Sequence, residues 1–333
     1  MKAVCVMLLC FAVCGYSANT ERPAAKEDTQ WISDLGGSVT HNAQGHVTGI
    51  SLRGTWVEDA DLRRLNQYPA LSVLDLSLTH ISDGGMQDIK DLRGISDFNL
   101  YFAEYVTDEG VAAIKDWQLK RLNLHGTKAG DSALEHIAGI TSLESLDVGS
   151  TLMTDVGLER LTMLTNLKEL TMGGNELGDA GLQALRQMPN LTYLDLSGRQ
   201  GNDKNVWTVS MSNVGLQALL TLKNLRDLRF ACTSTTVGIE GAKLGEVSTL
   251  SITGKWLEQM GSLGKLQRLK VQGCSRINDE AVTALIAMPA LREVDLKGTS
   301  VTEKGAARLQ AAKPGAVVWV GPWEGKAAAY RNN

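Results

Sequence analysis

The chain has 333 residues, 43% hydrophobic, 21% charged and only 5% aromatic, with a formal net charge of -4. That balance is ordinary for a globular protein, and the charge has the wrong sign for a nucleic-acid binder, so no nucleic-acid partner is expected. With so few aromatic rings the core has to be built from Leu, Val, Ile and Ala, which favours many thin, similar layers.

Residues 1–17 read as an export signal. Met1-Lys2 is a short positive start, Ala3 to Cys14 is apolar throughout, and Gly15-Tyr16-Ser17 supplies small residues for cleavage after Ser17. An apolar run of this length falls short of the roughly 20 residues that span a bilayer, so the chain is expected not to cross a membrane. Phe11 and Val13 depart from a lipoprotein box, and no lipid is expected on Cys14. The expected location is periplasmic, extracellular or on the cell surface. Residues 18–30 are polar and are expected to be flexible. Of the five cysteines, Cys232 and Cys274 survive removal of the signal. Counted as two repeats apart, at about 4.8 Å per strand, they would be too far apart to bridge and are expected as free thiols.

Residues 31–46 form a candidate N-terminal cap. Trp31, Ile32 and Leu35 predict a short helix stopped by Gly36-Gly37, and Val39-Thr40-His41 and His46-Val47 flank the turn Asn42 to Gly45. His41 and His46 have no third ligand near them in the sequence and are not read as a metal site. No cofactor is implied.

From residue 47 to 314 one pattern recurs. Its first positions are Val47, Leu71, Ile95, Leu119, Leu143, Leu167 and Leu191, each 24 residues after the last, followed by Leu225, Val247, Leu266 and Leu291 at looser spacing. Positions 1, 4 and 6 are apolar, as in Leu71, Leu74 and Leu76, and the spacing from 4 to 6 is that of a strand. Position 9 is often Thr or Asn (Thr55, Thr79, Thr127, Thr151, Asn175, Thr299), suited to bonding backbone where the chain turns. Helix starts follow at Ser82-Asp83, Thr107-Asp108, Thr154-Asp155 and Thr302-Glu303, with apolar residues then at helical spacing. One such unit cannot bury both its strand and its helix. Stacked units can, as a parallel sheet backed by helices. Helices are about 10 Å wide and strands about 4.8 Å apart, so the sheet becomes the concave face of a horseshoe.

Leu-x-x-Leu-x-Leu, a turn Thr or Asn, and Thr-Asp-x-Gly-Leu-x-x-Leu resemble the leucine-rich repeat, nearest to its helix-bearing, ribonuclease-inhibitor-like subtype and to exported bacterial proteins that carry it. The resemblance spans about Trp31 to Trp323. It implies an α/β solenoid of about eleven strands that works by binding another macromolecule. Two units break step. Ten extra residues, within 199–210, emerge at one rim and include Arg199 and Trp207; around Val247, Gly261, Gly264 and Lys265 disfavour an ordinary helix. Residues 315–324 read as a closing strand and 325–333 as a tail.

On the concave face the expected ligand-binding residues are Asp75, Asn99, Tyr101, Phe102, Asn123, His125, Asp147, Tyr193 and Asp195, followed by the more basic Arg229, Arg268 and Lys270. Aromatic rings beside carboxylates are typical interface anchors. Catalysis is not expected. Asp75 and Asp147 lie about 14 Å apart by strand spacing, too far for a glycosidase pair. His125 can meet Asp147, but no Ser or Cys is placed as a nucleophile beside them. The expected partner of a monomeric chain is a protein, with a cell-surface glycan as an alternative. A ubiquitin-ligase substrate receptor fits less well, because of the export signal and the missing F-box-like segment.

Overall fold

In the computed structural model, residues 27–198, 200–201, 206–232 and 252–322 are described. The export segment, Arg199 and the tail at 325–333 lie outside them.

The apolar alternation becomes a sheet of twelve strands in chain order. The strands are β1 (Ser38–His41), β2 (Val47–Ser51), β3 (Val73–Asp75), β4 (Asp97–Asn99), β5 (Arg121–Asn123), β6 (Ser145–Asp147), β7 (Glu169–Thr171) and β8 (Tyr193–Asp195). A separate pair, β9 (Gln200–Gly201) and β10 (Val206–Trp207), precedes β11 (Asp227–Ala231), β12 (Arg268–Gln272), β13 (Glu293–Asp295) and β14 (Val317–Trp319). β1 and β2 are antiparallel; every later junction of the large sheet is parallel and in register. Ile50, Leu74, Phe98, Leu122, Leu146, Leu170, Leu194, Leu228, Leu269 and Val294 therefore form one inward row, none more than 2% exposed. Each such side chain contributes about 1.5–3 kcal/mol of burial.

Behind the sheet run helices of four to ten residues, from Asp59–Leu62 to Glu303–Ala312, three of them finished by a 3-10 turn. Helices this short are marginal alone and depend on packing. Their first residue ties the stack together. The Asp131 carboxylate accepts the Thr154 N–H at 2.8 Å and the Thr154 hydroxyl at 2.6 Å. Asp59 and Asp83 do the same for Ser82 and Thr107 of the following unit, and Asp279, three residues before the helix Val282–Ala287, does so for Thr302. The glycine of the Thr-Asp-x-Gly motif leaves room for that carboxylate. A Cβ at Gly85, Gly110, Gly157, Gly181, Gly215 or Gly305 would stand under 3.0 Å from a carboxylate oxygen of the preceding unit. Where the cap residue is Gly130 or Gly178 there is no hydroxyl to donate, and Asp108 and Asp155 each accept only the backbone N–H.

At position 9, Thr55, Thr79, Thr127, Thr151 and Thr299 donate to the carbonyl three residues back, at 2.6–2.8 Å. Fully buried Asn175 reaches further, donating to Val148 and Met172 oxygens and accepting from the N–H and hydroxyl of Thr151.

At the start of the stack a short helix precedes the antiparallel strand β1. The helix Gln30–Asp34 buries Trp31 and Ile32, and the Trp31 indole N–H donates to the Tyr68 hydroxyl at 2.8 Å. At the other end β14 closes on β13.

Three expectations need correction. β11 hydrogen-bonds directly to β12, so no strand stands between them in the sheet, and ten of the eleven expected repeat strands are found among the described residues. The stretch 233–251 lies outside the described residues. A helix does follow it, Gly254–Met260, because Gly261 and Gly264 fall after its end. Cys232 and Cys274 thus follow neighbouring strands, 4.7 Å apart at Cα, and form a disulfide instead of two free thiols.

Candidate functional site

The position 5 residues lie in one row across the sheet: Ser51, Asp75, Asn99, Asn123, Asp147, Thr171, Asp195, Arg229, Lys270 and Asp295. Most of the expected ligand-binding carboxylates and amides already have a local task there. A side-chain oxygen of Asp75, Asn99, Asn123, Asp147, Asp195 and Asp295 accepts the N–H two residues on, at 2.8–3.1 Å. Each ties down the backbone as it leaves the strand. These residues line the hollow, and their type is explained by the turn.

The aromatic residues are not explained that way. Tyr101, Phe102 and His125 form one cluster. Tyr101 meets Phe102 edge-on at 4.7 Å and stacks on His125 at 5.2 Å, with Phe102 and His125 5.6 Å apart. The Arg53 guanidinium lies 6.0 Å from the Tyr101 centroid and donates to the Ser77 hydroxyl at 2.9 Å. His125 Nδ1 is 3.2 Å from Asp147 Oδ1. Glycines make the shelf on which these rings rest. A Cβ at Gly126 would stand 2.9 Å from the Phe102 ring, and one at Gly149 would strike His125 Nδ1.

Three residues past position 5 the backbone takes a left-handed turn, with φ of 66° at Gly54, 73° at Gly126, 79° at Gly174 and 71° at both Gly273 and Gly298. Leu78, Phe102 and Ser150 occupy the same slot at φ 57°, 53° and 50°. For a side-chain-bearing residue this conformation costs about 1–2 kcal/mol. Burial does not compensate at Leu78, which is 43% exposed.

A second row of rings stands just past the turn. Trp56 is 81% exposed and stacks on His80 with centroids 5.5 Å apart and an interplanar angle of 4°. His80 meets Tyr105 at 5.8 Å, and the Lys128 ammonium lies 5.6 Å over the Tyr105 ring. Reading alternate strand positions misses this row, because it lies beyond the strand. Its signal is Thr55-Trp56 and Thr79-His80, a planar residue after the turn threonine in consecutive units, with Tyr105 one residue later.

Tyr193, Asp195 and Arg229 lie on strands β8 and β11, apart from the first cluster and with a different character. Arg229 binds Asp227 through two bonds of 3.1 Å, and Arg268 binds the same carboxylate at 2.8 Å. Asp227 is 1% exposed, so much of the expected basic patch is tied to an acid beneath it. The Arg229 guanidinium also lies 4.8 Å over the Tyr193 ring. Burial raises the Asp195 carboxyl above its ordinary range despite bonds from Ser197, and burial followed by the Asp195 charge raises the Tyr193 phenol. Lys270 lies in the same row, one strand beyond Arg229. The insertion forms an antiparallel pair that sets Val206 against Gly201 and Trp207 against Gln200.

No group of three His, Cys, Asp or Glu side chains among the described residues could hold a metal ion, and no described helix is long and apolar enough to cross a membrane. Leucine-rich-repeat family models match residues 70–90 and 141–200. An internalin from Listeria monocytogenes, InlF, has a similar structure, with a TM-score of 0.52 at 18% identity over 82% of this chain and 71% of that one. This is a leucine-rich-repeat solenoid. Its sequence is also 31% identical over 98 residues to EEED8.10 of Caenorhabditis elegans, a protein named as RNA-binding, a match covering 28% of the solenoid chain and 12% of the relative. In the solenoid the shared repeat accounts for the leucines, the turn Thr and Asn, the Thr-Asp-x-Gly motif and the position 5 acids. The two rows of rings fall outside that repeat pattern.

Proposed function

We propose that this solenoid is a non-catalytic binding protein that holds a protein partner against the N-terminal half of its concave face and the adjoining rim. Leu78 and Phe102 carry the reading. In a slot where glycine is at ease, two successive units instead hold large apolar side chains in a strained backbone, and Leu78 is left 43% exposed. At Leu78, where burial returns least, strain kept in this way is the mark of a residue retained for contact, and at Phe102 it holds the ring against Tyr101 and His125. Tyr101, His125, Arg53 and Asp147 surround them with the mixture of ring, cation and acid that anchors protein interfaces. Asp75, Asn99 and Asn123 form the floor of this surface. Tyr193, Asp195, Arg229 and Lys270 belong to its far margin.

The Cys232–Cys274 disulfide supports export, since such bonds persist in oxidising compartments. We place the protein outside the cytosol on that ground together with the apolar start of the chain.

Returning the slot to glycine tests the reading. Leu78→Gly with Phe102→Gly relieves strain of about 1–2 kcal/mol at each residue, which offsets much of the burial lost with the Phe102 ring, so stability should fall by no more than about 2 kcal/mol. Affinity for a partner captured from the extracytoplasmic fraction and then purified should fall at least tenfold. Unchanged affinity in the folded double variant would sink the proposal.

A further inference from the structure

The outer ladder is built differently at its two ends. At one end Lys128 already places an ammonium over Tyr105. At the other, the indole of Trp56 stacks on His80 through one face and is 81% exposed, and among the described residues no cation lies over it. Carboxylates accompany every rung. Glu58 is exposed two residues after Trp56. Asp59 accepts the N–H of Ser82, two residues after His80; Asp83 accepts that of Thr107, two after Tyr105; Asp108 accepts that of Gly130, two after Lys128. Four acids thus follow the ladder along the rim, and the rungs themselves bring one cation, Lys128.

We propose that this rim docks an arginine-bearing basic segment of the protein partner, one guanidinium stacking on the open face of Trp56 while neighbouring basic groups meet the row of acids. The proposal rests on the protein-binding reading above and names the chemistry of the partner. A planar guanidinium suits the exposed indole better than an ammonium, because it stacks through its face and is weakly hydrated, whereas an ammonium is a strongly hydrated point charge. The solenoid uses this contact within itself, with Arg64 4.4 Å over Trp31 and Arg229 4.8 Å over Tyr193. The acids add attraction at longer range, and they also set the sign of the segment that is admitted.

The test is calorimetric titration of the intact protein with capped peptides of four Gly-Arg, four Gly-Lys or four Gly-Glu repeats, and with cellohexaose as a neutral glycan. The arginine peptide should bind. Its affinity should fall at least tenfold for Trp56→Ala and for Tyr105→Ala, both exposed positions that the fold tolerates. The lysine peptide should bind at least threefold more weakly than the arginine peptide, and the glutamate peptide should not bind. No binding of the arginine peptide at millimolar concentration overturns the proposal. So does equal affinity for the arginine and lysine peptides, or unchanged affinity in Trp56→Ala. Cellohexaose binding that Trp56→Ala removes would assign the ladder to glycan instead. If the peptides fail while the Leu78→Gly/Phe102→Gly variant still loses its partner, this inference falls and the broader one stands. If that variant keeps its partner, the broader reading falls.

Discussion

Gly157→Ala should destabilise the protein although it places alanine, the best helix former, inside a helix. Gly157 sits in the helix Asp155–Arg160 and is buried. An added Cβ would collide with Asp131 Oδ1 and lie 2.7 Å from Leu134 Cδ1 and 3.1 Å from Met153 Cγ. On propensity alone the change should stabilise by about 1 kcal/mol. Overpacking opposes that by about 1–3 kcal/mol. Displacing Asp131 also weakens its bonds to the Thr154 N–H and hydroxyl, each about 1.5 kcal/mol for a charged acceptor. The net expectation is a loss of about 2 kcal/mol. Urea unfolding followed by far-UV circular dichroism measures it, with Gly264→Ala as control because its Cβ would meet nothing within 4 Å. In an Asp131→Ala background the collision with the carboxylate is gone, so the added cost of Gly157→Ala should shrink by at least about 1 kcal/mol. A neutral or stabilising Gly157→Ala, or strict additivity with Asp131→Ala, would refute the inter-repeat role given to the glycine.

Replacing both Cys232 and Cys274 by Ser should cost up to about 4 kcal/mol, from the 42-residue separation that the bond closes, and the intact protein should weigh two hydrogens less than its reduced form by mass spectrometry. Asn175→Leu should lose about 3 kcal/mol in urea unfolding, since it leaves the Met172 carbonyl and the Thr151 N–H without their buried partner while the Val148 carbonyl keeps only the Thr151 hydroxyl; Asn175→Thr, which can still bond the carbonyl three residues back, should lose about 1 kcal/mol. Acid should weaken the stack. Hydrogen bonds from the Thr302 hydroxyl and N–H hold the Asp279 carboxyl below its ordinary 3.8, and at Asp179 bonds from Ser212 and Gly215 outweigh an opposing effect of burial. A depressed carboxyl contributes stability that is complete above the unfolded value of 3.8 and is lost as pH falls below it. Asp195, raised by burial, contributes in the opposite sense, so the comparison is between variants: the urea midpoint of Thr302→Val should fall less than that of the parent protein from pH 6 to pH 3 (a range about that value), and an equal fall in both would count against the ladder.

By itself the sequence determined the architecture. A 24-residue recurrence of apolar positions, capped helix starts and turn threonines admits one economical packing, because no unit can bury its own strand and helix. Much of the concave surface was readable as well: the spacing places Asp75, Asn99, Asn123 and Asp147 in one row, and Tyr101, Phe102 and His125 beside it. What such counting could not separate was scaffold from contact. Asp147 and Phe102 lie equally close to the hollow, yet one serves its own turn while the other strains the backbone, and the difference lies in φ angles and hydrogen bonds. The outer ladder was missed because Trp56, His80 and Tyr105 are neighbours across the stack and not along the chain. The disulfide was missed for a related reason. Repeat counting assumes a strand between Cys232 and Cys274, whereas β11 pairs directly with β12, and that pairing brings the two cysteines within reach. Periodicity specifies what each unit has in common; where the period fails, or where side chains of different units meet, only the tertiary structure decides, because those contacts depend on which strands are adjacent.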